Sequence, residues 1–72
     1  MMLKAYLEER RLTVAEFARR AGLGSRQVVH SYVAGTRFPT PDNLRRIREA
    51  TGGLVTADDF VDQHTARPEA AA

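Results

Sequence analysis

The chain contains no cysteine and no tryptophan, and only two histidines and three prolines among its 72 residues. Without cysteine there is no disulfide framework and no thiol nucleophile, a usage that fits a reducing compartment. His30 and His64, with no thiolate partner, form no recognisable metal set. No apolar run approaches the roughly 18 residues of a membrane span, and Met1-Met2-Leu3-Lys4 does not open a secretory signal. A cytoplasmic chain without a membrane partner is expected. His30 beside Ser31 lacks an acidic partner, and adjacent helical positions point in different directions. So small a chain forms one domain with a modest core. The expectation is therefore a protein that is not an enzyme and takes no cofactor or metal.

Charge of one sign is also scarce, for the net charge is only +2. Its distribution is more informative. Residues 1–52 carry ten Lys/Arg against five Asp/Glu, whereas residues 53–72 carry one against four. The first part is basic and the last part acidic, which places any polyanion partner on the first part.

What the chain does have is a dense set of helix boundary signals. Thr13 and Glu16 form a T-x-x-E capping box, with Leu12 and Phe17 spaced as a hydrophobic staple. Val14, Phe17, Ala18 and Ala21 then make one apolar stripe at helical spacing. Gly22-Leu23-Gly24-Ser25 ends that helix and starts another: Gly22 suits a left-handed cap, Leu23 the core and Ser25 an N-cap. In the helix expected from Arg26 to Ala34, Val29, Tyr32 and Val33 share the buried face. Arg26, Gln27, His30 and Ser31 lie away from it, and Val28, partly outward, is placed to meet a thymine methyl. Two short helices joined by a glycine turn, over residues 13–34, make a helix-turn-helix, whose second helix commonly enters the DNA major groove. Arginine on guanine and glutamine on adenine are frequent base contacts. The pattern alone also describes an ordinary helical hairpin with a solvated face.

The flanks extend this reading. A first helix from about Met2 to Arg11 turns Leu3, Tyr6 and Leu7 inward. Gly35-Thr36-Arg37-Phe38-Pro39 reads as a loop anchored by Phe38 and Pro39, leaving Thr36 and Arg37 to meet phosphates. Thr40 and Pro41 open a fourth helix, in which Leu44, Ile47 and either Thr51 or Leu54 face inward. Arg45, Arg46 and Arg48 are assigned to its outer surface. Asn43, near that helix's start, is a candidate phosphate contact. Thr56 with Asp59 opens a fifth helix, with Val55 and Phe60 spaced as a second staple. The expected fold is all-α, a bundle of about five short helices over residues 1–62. Residues 63–72 are expected to form a flexible tail.

With Tyr32, Gly35, Arg37 and Pro39 in a Tyr-x-x-Gly-x-Arg-x-Pro pattern, the chain resembles the Cro/cI-type, lambda-repressor-like helix-turn-helix regulators, the XRE family, from about Leu3 to Phe60. The turn at Gly22 is one residue longer than the family's usual spacing. Alignment from Gly22 buries Val28, whereas alignment from Gly35 buries Val29, which shares its face with Tyr32 and Val33 and is the expected choice. The resemblance implies a transcription regulator, most simply a Cro-like homodimeric repressor of promoter DNA. Arg26, Gln27, His30 and Ser31 would read bases, and Ser25, Thr36, Arg37 and Asn43 would hold phosphates. The segment from Val55 onward offers a dimer contact or a surface for a protein partner. An antitoxin, an activator and a protein-interaction module without DNA binding remain as alternatives.

Overall fold

The computed structural model describes residues 1–65. Five helices follow one another: α1 Leu3–Arg10, α2 Val14–Ala21, α3 Arg26–Ala34, α4 Pro41–Ala50 and α5 Ala57–Thr65. No strand occurs among the described residues. The fold is all-α.

Most helix ends are set by side chains within four residues of the boundary. At the start of α2, the Thr13 hydroxyl accepts from Glu16 N–H at 3.1 Å while the Glu16 carboxylate accepts from Thr13 N–H at 3.0 Å, completing the capping box. Ser25 caps α3 by accepting from Val28 N–H, and Thr40 caps α4 by accepting from Asn43 N–H, with Pro41 at the first helical position. Gly22 and Gly35 end α2 and α3 with φ of 71° and 79°, a region costly for a residue with a Cβ. The first helix stops at Arg10, one residue short of the expected end, because Arg11 itself adopts the left-handed conformation at the cap.

These elements close on one core. Phe17, Phe60, Leu3, Ile47, Val29 and Val55 are almost wholly buried, with Tyr6, Leu7, Ala18, Ala21, Leu23 and Tyr32 around them. The helix α2 packs against α3 and α4, and α1 also packs on α3. Two alanines on the inner face of α2 permit that close approach. Tyr6 meets Phe17 edge-on, and Tyr32 meets Phe60 likewise, so aromatic pairs join α1 to α2 and α3 to α5.

Two open alternatives resolve, and two further expectations need correction. Val29 is fully buried and Val28 only partly so, which settles the register in favour of alignment from Gly35. Thr51, the cap that follows α4, takes the inward position, its hydroxyl donating to the Ile47 carbonyl and accepting from Val55 N–H, while Leu54 is exposed. Pro39 is buried, whereas Phe38 is 43 % exposed and meets the rings of Phe60 and His64. The last helix continues to Thr65, past the expected start of a tail at residue 63, because Gln63 docks on α3. The rest of the expected tail, 66–72, lies outside the described residues.

Candidate nucleic-acid interface

The recognition candidate is α3, and its two faces differ sharply. Val29 and Tyr32 are sealed in the core, whereas Arg26, Gln27 and His30 are exposed and Ser31 is half-buried. Arg26, Gln27, His30 and Ser31 line one open recess of about 400 Å³, whose remaining wall is Val14, at the first position of α2. All four residues expected to read bases are thus brought to one place. Three present side chains free to reach outward; the Ser31 hydroxyl instead donates to the Gln27 carbonyl at 3.0 Å. That bond uses the hydroxyl proton and leaves Ser31 to face the recess as an acceptor.

The expected phosphate contacts are spread around this helix. Ser25 and Val28 N–H occupy its N-terminal end, where backbone N–H groups and the helix dipole favour an anion. Past its C-terminal end, Thr36 and Arg37 are exposed; the Thr36 hydroxyl donates to the Ser31 carbonyl at 3.3 Å. Asn43 differs from the others. Its Nδ2 donates to the Tyr32 phenolic oxygen at 2.8 Å, on the core side of α3, and its backbone N–H goes to Thr40. One amide N–H and the amide oxygen remain for an outside partner.

The outer charges of α4 are organised rather than merely solvated. Asp42 pairs with Arg45 at 2.6 Å and with Arg46 at 3.0 Å. Hydrogen bonds from Arg46 and then Arg45 hold the Asp42 carboxyl below its usual range. Arg46 also donates to the Gly22 carbonyl at 3.3 Å, joining α4 to the turn that precedes α3. A C-cap carbonyl and a guanidinium 24 residues away carry no shared local signal, so this contact is absent from any reading of helical periodicity. The same is true of Gln63, whose side-chain amide donates to the carbonyls of Tyr32 and Val33 at 3.2 Å each. Together these contacts fix the end of α2 that leads into the turn and the C-terminal end of α3 relative to the bundle.

The helix-turn-helix family matches residues 3–57, more than half of the chain. The chain belongs to this family, in its XRE or Cro/cI type, and is a DNA-binding transcription regulator of that class. Its partner is double-stranded DNA, and the family is one of regulators rather than of enzymes. No curated protein and no solved structure matches the chain. Among the described residues, no helix is long and apolar enough to cross a membrane.

Proposed function

We propose that the protein is a Cro-like repressor that binds its operator as a homodimer, one α3 entering each of two successive major grooves. The carrying observation is the recess on the outer side of α3, where Arg26, Gln27, His30 and Ser31 meet on a helix whose opposite face is locked into the core. A rigid helix bearing convergent donors and acceptors suits base-edge reading. Arg26 and Gln27 are the side chains with forked or paired groups, suited to guanine and adenine; His30 and Ser31 extend the read. Ser25, Thr36, Arg37 and Asn43 set the register on the phosphates. Repression follows from occupying promoter DNA, in the cytoplasm at the nucleoid.

Pairing of two subunits is supported by the apolar surface around α5, where Phe38 and Val61 are 43 % and 45 % exposed. Selection of binding sites from random duplexes, followed by footprinting, tests the whole reading. Two protected half-sites about 10 bp apart, related by symmetry, are the expected result. A single protected half-site at saturation removes the dimer, and equal binding to all duplexes removes the repressor. An interaction module without DNA binding predicts no retained duplex at all.

A further inference from the structure

Four of the five side chains that line the recess offer hydrogen bonds; the fifth, Val14, offers none. It comes from α2 rather than from the reading helix. Thr13 immediately before it and Glu16 two residues after it are tied by the reciprocal capping bonds, so the backbone under Val14 is held. The side chain is partly buried and packed against the core on one side while facing the recess on the other. A β-branched residue in a helix has essentially one χ1 rotamer, so this wall is stiff. Val28, which the sequence placed toward a thymine methyl, packs against the core and does not line the recess.

A stiff apolar wall in a base-reading recess has one complement in unmodified DNA. Among the groups that base pairs expose in the major groove, the 5-methyl of thymine is the one apolar group that projects far enough to fill such a wall, cytosine offering a bare C5–H in its place. Gln27, on the same recess, carries the amide suited to adenine, so an A·T pair supplies both the amide's partner and the methyl. We infer that Val14 is a specificity-determining residue that receives a thymine 5-methyl beside the adenine read by Gln27. This rests on the DNA-reading role proposed above and adds a contact from the first helix of the motif to those from the second. The chemistry is burial of one methyl group, which corresponds to about a fourfold change in affinity.

The test starts from the tightest duplex selected by the wild-type protein. Each thymine is replaced singly by deoxyuridine, which pairs identically but lacks the methyl. One thymine in each half-site is expected to lose about fourfold in affinity when replaced. In Val14→Ala that penalty disappears, and affinity for the unmodified duplex falls by a similar factor. Indifference to every replacement, or an equal penalty in Val14→Ala, overturns the assignment. Should Val14→Ala fail to fold, nuclear Overhauser contacts in the wild-type complex decide the matter: a Val14 methyl to thymine methyl contact supports it, and contacts from Val14 only to other groups overturn it. A protein that selects no sequence refutes the DNA-reading role itself, whereas one that selects a sequence yet ignores the thymine methyls refutes only this inference.

Discussion

Asn43 donates from its side-chain amide to the phenolic oxygen of Tyr32 at 2.8 Å, joining the start of α4 to the buried face of α3. Tyr32 is 2 % exposed, so the pair lies where water replaces it poorly. Tyr32→Phe removes the acceptor and leaves the amide without its partner. A loss of about 1–2 kcal/mol in urea unfolding is expected. Asn43→Ala in the Tyr32→Phe background should add less than it does alone, because the two changes share one bond.

On the proposed function, substitutions at Gln27 and Arg37 should separate base reading from backbone binding. Gln27→Ala should relax the preference at one base position by about 1–3 kcal/mol, measured as a binding ratio between the selected duplex and its single-base variants. Arg37→Ala should weaken all duplexes alike and flatten the dependence of log affinity on log salt by about one. Equal loss on every duplex for Gln27→Ala would place Gln27 on the backbone instead.

The capping box at Thr13 contributes to stability and to the placement of Val14. Thr13→Ala removes the acceptor for Glu16 N–H and should cost about 1 kcal/mol, read from thermal or urea unfolding. Thr13→Ser, which keeps the hydroxyl, should recover most of that loss.

Acid should destabilise the protein partly through Asp59. Burial pushes its carboxyl up, but hydrogen bonds from Thr56 N–H and from the N-terminal ammonium outweigh that effect and leave it below its usual value. Hydrogen bonds from Thr13 lower Glu16, and those from Arg46 and Arg45 lower Asp42. A carboxyl lowered in the folded state contributes its full stabilisation above the unfolded-state value and loses it as pH falls through the folded-state value. The melting temperature should therefore decline as pH drops below about 5. Asp59→Asn should melt lower at neutral pH and show a shallower acid limb.

How much was legible in the sequence depended on how far apart the interacting groups lie. Thr13 with Glu16, Ser25, Thr40 with Pro41, Gly22 and Gly35 all act within four residues of a helix end, and each was placed correctly from local chemistry alone. The buried face of α3 needed only the spacing of Val29 and Tyr32. The bonds that orient the two helices of the motif join residues 11, 24, 30 and 31 positions apart, through Asn43, Arg46 and Gln63. Those depend on where helices come to rest, and polar side chains at such positions look like ordinary solvated ones. Phe38 was legible only in part: its ring meets the buried Phe60 as an anchor should, but it remains 43 % exposed where Pro39 is buried. Val14 was correctly placed on the apolar stripe of α2, yet its second contact, with the recess, follows only from the meeting of two helices.

The hold of Gln63 on the Tyr32 and Val33 carbonyls also bears on the order of events during synthesis. The C-terminal end of α3 is translated thirty residues before the side chain that fastens it. Until α5 has been made, the Val33 carbonyl lacks this donor and the Tyr32 carbonyl has the local bond from Gly35 N–H without the one from Gln63. Its final anchoring therefore waits for α5, and the fastening of α3 comes late in the order in which the described residues fold.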